Sequence, residues 1–135
     1  MKKILIAILL AIGLLAGSVT GAPLALAGTI SKADDPTRNL TKAERKSITF
    51  DVWVNSPTAK HVKKAESHNN CKSTGGHGKY QGTWQVSAGF WKSYGGNKYA
   101  SKASKATCQQ QDLVAYKGWL ARGWSPWPPA KNFKP

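Results

Sequence analysis

The sequence predicts one small α+β domain that is mostly α, with short irregular or β pieces and one disulfide. Two segments, residues 57–67 and 107–122, combine apolar residues at helical spacing with residue types that begin and end helices. The stretch between them is rich in glycine and aromatic residues, which indicates turns and short irregular structure. With 135 residues, the chain has room for one domain.

Residues 1–27 have the order of a secretory signal peptide. Lys2 and Lys3 precede an almost unbroken apolar run from Ile4 to Gly17, and small residues follow up to Ala27. A run of about 14 residues is short of the roughly 20 that span a bilayer. We therefore predict cleavage after Ala27 rather than a retained membrane anchor, which makes the protein secreted.

Residues 28–55 form the next unit, which we predict to be a basic, polar N-terminal tether. They are rich in Lys, Thr, Ser and Asp and have few apolar residues before position 48. Residues 48–54 then alternate, with Ile48, Phe50, Val52 and Val54 on one side. This alternation predicts a short strand or a strap across the domain, which itself occupies residues 56–135.

Basic residues dominate the charge of the chain. Twenty Lys and Arg face six Asp and Glu, so the formal net charge is +14. Removal of Lys2 and Lys3 with the signal peptide would leave +12, from 18 basic and 6 acidic residues. A secreted domain this basic is concentrated on polyanions by long-range attraction, although the same lysines also serve solubility. The charge alone does not choose between a wall polymer, a lipid surface and extracellular nucleic acid.

Cys71 and Cys108 are predicted to form the disulfide, since an exported chain with two cysteines has one possible pairing. Closing this loop would stabilise the fold by about 4 kcal/mol. Neither cysteine has a Cys or His at ligand spacing, and His61, His68 and His77 are not spaced as a zinc pair. We expect no metal site and no cofactor.

The first helix begins at Ser56-Pro57, because Ser is a good N-cap and Pro suits the first turn. It is predicted to stop at His68, which places Glu66 in the last turn on the apolar side. The negative end of the helix dipole disfavours ionisation there, and aromatic rings that exclude water would raise the pKa further. Glu66 is therefore a candidate general acid. The alternative is a solvated glutamate paired with a neighbouring lysine, Lys63 or Lys64.

The second helix is predicted to end at Gly123, and the proline-rich segment 124–129 to pack back on the body without helical structure. The chain has six tryptophans and four tyrosines, which we interpret as more than its core needs. Flat rings stack on sugar faces and amides bond hydroxyls, so the composition fits a glycan cleft. The alternative for Trp84 and Trp91 is two core residues on one helix face. The predicted substrate-binding residues are Tyr80, Trp84, Gln85, Trp91 and Tyr99.

From Glu66 onward the chain resembles the transglycosylase-like domain of resuscitation-promoting factors, in the lysozyme-like superfamily. The resemblance covers roughly residues 57–128. The motifs that carry it are Glu66-Ser67, Asn70, Tyr80-Gln-Gly82-Thr-Trp-Gln85, Trp91, Gly95-Gly96, Tyr99-Ala100, Ala106-Thr107, Gln111 and Gly123-Trp124-Ser-Pro-Trp127-Pro128.

This resemblance implies a small lysozyme-like fold with a single catalytic glutamate at Glu66 and glycan contacts from Gln85 and nearby aromatic residues. The implied substrate is peptidoglycan, cleaved at the β-1,4 bond between N-acetylmuramic acid and N-acetylglucosamine. We expect a wall-associated monomer, with anionic wall polymers as further candidate partners and no nucleic-acid partner.

The sequence departs from the family pattern at three places. His68-Asn69 stands where the family has Gly-Gly, and Phe90 stands where it has Thr. The two family cysteines correspond to Ala65 and about Ala130, so the Cys71–Cys108 pair is expected to replace that disulfide.

A second carboxylate for a paired-acid mechanism could come only from Asp51 or Asp112, and neither falls in a cleft motif. This favours assistance by the substrate's N-acetyl group, completed by the sugar's 6-hydroxyl (lytic transglycosylase, which we favour) or by water (muramidase). Two other functions stay open: a catalytically weak wall-binding module, and a cationic protein that acts on membranes or nucleic acid.

Overall fold

The structure, a computed structural model, describes residues 35–134. The predicted signal peptide lies outside the described residues. The helices are α1 (Lys42–Arg45), α2 (Phe50–Asn55), α3 (Pro57–Ser67), α4 (Ala88–Ser93), α5 (Cys108–Arg122) and α6 (Pro128–Asn132), with 3-10 turns at Gly96–Lys98 and Ala103–Lys105. Strands β1 (Thr74–Gly75), β2 (Tyr80–Gln81) and β3 (Val86–Ser87) form an antiparallel sheet in the order β1-β2-β3. The mostly helical α+β fold is confirmed.

Both long helices begin and end at the predicted residues. The Ser56 hydroxyl accepts the backbone N–H of Ala59 at 3.2 Å, and α3 ends at His68, which has a left-handed backbone. Helix α5 begins after Thr107 in a capping box and ends at Gly123. Side chains that satisfy the free N–H groups of the first turn fix these helix starts, which is why the sequence alone reveals them.

The predicted strand at residues 48–54 is wrong, because Phe50–Asn55 is helix α2 with Thr49 as its N-cap. The alternation put Trp53 on the polar side and Val52 on the apolar side. In the structure Trp53 is fully buried and Val52 is 41% exposed. The segment is therefore a helical turn and not an alternating strand. The free energy gained by burying the indole ring outweighs the preference of the smaller side chains for alternation.

Residues 35–55 differ from the predicted tether, because they pack on the domain. The Asp35 carboxylate accepts the backbone N–H groups of Thr37 and Thr58, at 2.8 and 2.7 Å, and so joins the segment to the first turn of α3. Arg45 donates to the backbone carbonyls of Leu40 and Leu120, at the C-terminal end of α5. The domain thus extends N-terminally at least to residue 35, and residues 28–34 lie outside the described part.

Tryptophan forms most of the core. Five of the six tryptophans are at most 2% exposed, which corrects the interpretation that aromatic residues are in surplus. Trp53 lies at the centre and stacks on Trp84 at 4.9 Å and on Trp124 at 5.7 Å between ring centroids. Residues 35–134 contain few large aliphatic residues, so their core buries indole rings instead. The fully buried tryptophans are Trp53, Trp84, Trp91, Trp119 and Trp127.

The C-terminal segment packs back on the body, as predicted. Trp127 is buried and donates its indole N–H to the carbonyl of Trp84 at 3.0 Å. The prediction that the segment has no helix is wrong from Pro128 onward, where α6 begins and packs against α3. Prolines are tolerated in the first helical turn because their missing N–H has no intrahelical partner there.

The Cys71–Cys108 disulfide is confirmed, with 5.4 Å between the two Cα atoms. It joins the loop after α3 to the first residue of α5 across a sequence separation of 37. We expect the double substitution Cys71→Ser and Cys108→Ser to lower the free energy of unfolding by about 4 kcal/mol, because the open chain gains loop entropy when unfolded. Urea denaturation measures this loss. Reduced wild type is the control and should match the double variant, and equal midpoints for oxidised and reduced protein would contradict the prediction.

Candidate active site

Glu66 lies in the last turn of α3, where its side chain is half-buried. The neighbouring Ser67 is buried, and its hydroxyl donates to the carbonyl of Thr83 at 2.8 Å. This bond fixes the end of the helix against the turn between β2 and β3. The backbone that carries Glu66 is therefore anchored at the junction between helix and sheet.

Burial raises the pKa of the Glu66 carboxyl above its ordinary value of 4.5. The alternative of an ion pair with a neighbouring lysine does not hold. Lys63 pairs with Asp112 at 3.5 Å and lies over the Trp84 ring, while Lys64 is exposed without an acid within bridging distance among the described residues. Glu66 thus keeps its proton to a higher pH than a solvated glutamate would, as a general acid requires.

Asp112 is a carboxylate with a different environment. One of its oxygens accepts the indole N–H of Trp84 at 2.7 Å, and the other faces the ammonium of Lys63. Burial raises the pKa of Asp112, whereas Lys63 and the Trp84 hydrogen bond act to lower it. Both oxygens are used in joining α5 to α3 and to the core, so Asp112 has a structural role. Asp51 is exposed on α2.

The loop after Glu66 explains one departure from the family pattern. His68 and Asn69 both have positive φ, 55° and 62°, the region that glycine adopts most easily. Their N–H groups donate to the carbonyls of Lys64 and Lys63, which closes the C-terminus of α3. His68 and Asn69 therefore adopt backbone conformations that suit Gly-Gly, and His and Asn are among the residues that tolerate these conformations.

An open groove of about 480 Å³ lies beside the sheet. Gln85 lines it, and its amide donates to the carbonyl of Gly82 at 2.9 Å, so the side chain is held in place. Tyr80 lines the same groove and is 40% exposed, with Lys79 over its ring. Glu66 is not among the lining residues, but Ser67 bonds Thr83, two residues before Gln85. The groove also includes Phe90, Tyr94, Arg122, Ser125 and Trp127.

The other three predicted substrate-binding residues are not in this groove. Trp84 and Trp91 are 1% and 2% exposed, and Trp91 donates its indole N–H to the carbonyl of Ala100 at 2.7 Å. Enclosed rings cannot stack on a sugar, so these two predictions are corrected to core roles. The alternative that both are core residues is confirmed, but they do not share a helix face, since Trp84 precedes β3 while Trp91 lies on α4. Tyr99 is half-buried against the core under Lys98.

Sequence reasoning missed most of the groove, including Phe90 and Arg122. Phe90, which stands where the family pattern has Thr, packs on Tyr94 and Trp127 with ring centroids 4.6 and 5.6 Å apart. It also covers Gly118, where a side chain would collide with its ring. Arg122, the last residue of α5, brings a cation to the groove. Nothing in the sequence around Arg122, which directly precedes the helix-ending Gly123, indicated a binding site.

Comparison with known families decides the class of the chain. Residues 54–130 match the transglycosylase-like domain family. The chain belongs to this family. The match begins inside α2 and ends at the buried Ala130 of α6, so it covers the helices, the sheet and the groove described above.

One relative of this transglycosylase-like domain is resuscitation-promoting factor Rpf1 of Corynebacterium glutamicum. The two are 41% identical over 63 residues, which are 47% of this chain and 32% of the relative. The chain thus spans about a third of that relative's length. The resemblance to resuscitation-promoting factors is confirmed, and the family supports a peptidoglycan-directed, transglycosylase-like function.

Two observations complete the description of residues 35–134. None of their helices is long and apolar enough to cross a bilayer. Within the same residues, no group of three or more His, Cys, Asp or Glu side chains is arranged to hold a metal ion.

The raised pKa of Glu66 predicts how stability depends on pH. Folding favours the protonated form, so the stabilisation is complete below the ordinary pKa of 4.5 and is lost as pH rises through the folded-state value. We expect Glu66→Gln to melt higher than wild type at neutral pH, by about one to a few degrees because the group is partly exposed. Thermal melts of both proteins at pH 4 and pH 7 measure this. The prediction is contradicted if the melting temperatures of Glu66→Gln and wild type differ by the same amount at both pH values.

Proposed function

We propose that the protein is a secreted glycosidase that cleaves peptidoglycan at the N-acetylmuramic acid-β-1,4-N-acetylglucosamine bond, with Glu66 as its catalytic acid. The observation that carries the proposal is the state of Glu66. It is a half-buried carboxyl with a raised pKa and no ion-pair partner among residues 35–134, at the junction of α3 and the sheet. Membership of the transglycosylase-like family supports the substrate class.

The first step is proton donation. The protonated Glu66 carboxyl gives its proton to the glycosidic oxygen while the bond between that oxygen and C1 of N-acetylmuramic acid breaks. The N-acetylglucosamine side leaves with a free 4-hydroxyl, and Glu66 becomes a carboxylate. Because burial disfavours that charge, the carboxylate is a competent base for the second step.

The second step needs a nucleophile other than a protein carboxylate. Asp112 has both oxygens engaged by Trp84 and Lys63, and Asp51 is exposed on α2. The carbonyl of the substrate's own N-acetyl group therefore stabilises the positive charge at C1. Glu66 then accepts the proton of the sugar's 6-hydroxyl, which attacks C1 and closes a 1,6-anhydro ring. Attack by water instead would give hydrolysis, so the product separates the two reactions.

The groove beside the sheet supplies the glycan contacts in this proposal. Tyr80 offers an exposed ring for a sugar face, and the fixed amide of Gln85 offers hydrogen bonds to hydroxyl or N-acetyl groups. Both residues are within a few positions of Thr83, which is bonded to the residue after Glu66. In this proposal the glycan extends from Gln85 toward the Glu66 carboxyl.

Mass spectrometry of digested wall tests the function. The protein is incubated with purified peptidoglycan, and the soluble products are compared with those of a known muramidase. Products lighter by one water indicate the anhydro sugar and the transglycosylase reaction. Protein that binds the wall but releases no soluble fragments overturns the enzyme proposal in favour of a wall-binding module. Sequencing the N-terminus of protein from the culture medium tests secretion, and Gly28 is the expected first residue.

A further inference from the structure

Residues 67–111 contain six lysines and no acidic residue. This stretch includes the whole sheet, α4 and both 3-10 turns. The described acids lie elsewhere, on the N-terminal segment, α3 and α5, and one of them, Asp112, is engaged by Lys63. None of the lysines on this stretch has a carboxylate within salt-bridge distance among residues 35–134. The six residues are Lys72, Lys79, Lys92, Lys98, Lys102 and Lys105.

Three of these lysines converge on one open groove. Lys72, Lys102 and Lys105 line a depression of about 450 Å³, separate from the groove that contains Gln85. The Cys71–Cys108 disulfide brings Lys72 next to the start of α5, and a hydrogen bond from Ser104 to Gln81 joins the lysine-bearing turn to β2. The disulfide and this hydrogen bond fix the backbone from which the three lysines reach the groove, and like charges around one groove favour an anion between them.

The chemistry of the groove is that of a phosphate site. Its lysines are exposed, and each offers a compact, strongly hydrated charge that binds phosphate oxygens without needing a fixed orientation. The hydroxyl of the exposed Thr74 lies on the same lining and adds a neutral donor. No guanidinium lines the groove, so paired hydrogen bonding to a planar carboxylate is not provided.

We propose that this lysine groove, defined by Lys72, Lys102 and Lys105, binds a phosphodiester polymer of the cell wall, such as a poly(polyol phosphate). An open groove suits a chain rather than a single ion. Attachment would raise the local concentration of the domain on the wall. The proposal shares the wall location with the proposed function but does not depend on Glu66 or on cleavage.

Charge-neutralising variants test it. The triple variant Lys72→Gln, Lys102→Gln, Lys105→Gln is compared with a matched triple variant of exposed lysines elsewhere, Lys42→Gln, Lys46→Gln, Lys60→Gln. Affinity for purified poly(glycerol phosphate) is measured at about 0.15 M salt, together with the cleavage of peptidoglycan stripped of such polymers. We expect the first variant to lose at least about tenfold in affinity, the second to lose much less, and both to cleave stripped peptidoglycan as wild type does.

Each other outcome overturns the proposal. Equal losses in the two variants would mean that net charge alone drives binding, and no loss in the first would exclude the groove. A single-stranded oligonucleotide of equal charge and vesicles of phosphatidylglycerol are the competing ligands. If either binds as tightly and depends on the same lysines, the groove is not a site for the wall polymer. Glu66→Gln should bind poly(glycerol phosphate) like wild type, which separates this result from failure of the enzyme proposal.

Discussion

Glu66→Gln is expected to slow the release of soluble fragments from peptidoglycan by about 10²- to 10⁴-fold. Glutamine preserves the size and polarity of the side chain but has no proton to give to the glycosidic oxygen. The rate of fragment release from purified wall, followed chromatographically, measures the loss. Binding to the wall should persist, because the substitution leaves the groove of Tyr80 and Gln85 untouched.

The matched control is Asp51→Asn, which removes an exposed carboxylate on α2 by the same chemical change. It should leave the rate within about twofold of wild type, since exposed substitutions away from a site have small effects. The pH profile is a second check. Wild-type activity should fall as pH rises through the raised pKa of Glu66, because the acid must be protonated. A Glu66→Gln variant with more than a tenth of wild-type activity would remove Glu66 from the reaction.

The parts of the fold that the sequence predicts well are those that depend on local chemistry. Ser56 and Thr107 begin helices because their side chains bond the free N–H groups of the first turn, and Gly123 ends one. The two cysteines pair because only one pairing exists. Glu66 belongs with these features, since its position in the last turn follows from the bounds of α3. These predictions require no knowledge of the tertiary contacts.

The parts that failed depend on tertiary packing. Trp84 and Trp91 fit a sugar-binding cleft by composition, but whether an aromatic ring faces solvent or core is decided by distant segments. Trp84 is covered by Trp53 and Trp127, which lie more than thirty positions away in either direction along the chain. The groove of Phe90 and Arg122 was missed for the same reason, because α4 and the end of α5 meet only in the folded domain.

Trp53→Ala should lower the free energy of unfolding by about 3–5 kcal/mol, a large fraction of the stability of a domain this small. Trp53 is fully buried and lies against Trp84, Trp119 and Trp124, with ring centroids 4.9 to 6.0 Å apart. Removal of the indole leaves a cavity that these rings cannot close, since each is fixed by other contacts. Urea denaturation followed by circular dichroism measures the loss.

Two further variants make the Trp53 result specific. Val52→Ala changes the adjacent residue, which is 41% exposed, and should cost less than about 0.5 kcal/mol. If residues 35–55 were a tether, both alanine variants would be equally silent. Trp53→Phe should cost less than Trp53→Ala because a ring still fills part of the space. Either substitution also removes the indole N–H of Trp53, which is buried without a hydrogen-bond partner among the described residues. Removing that unpaired donor offsets part of the lost packing. A Trp53→Ala variant as stable as wild type would show that the core does not depend on Trp53 and that the packing of α2 is dispensable.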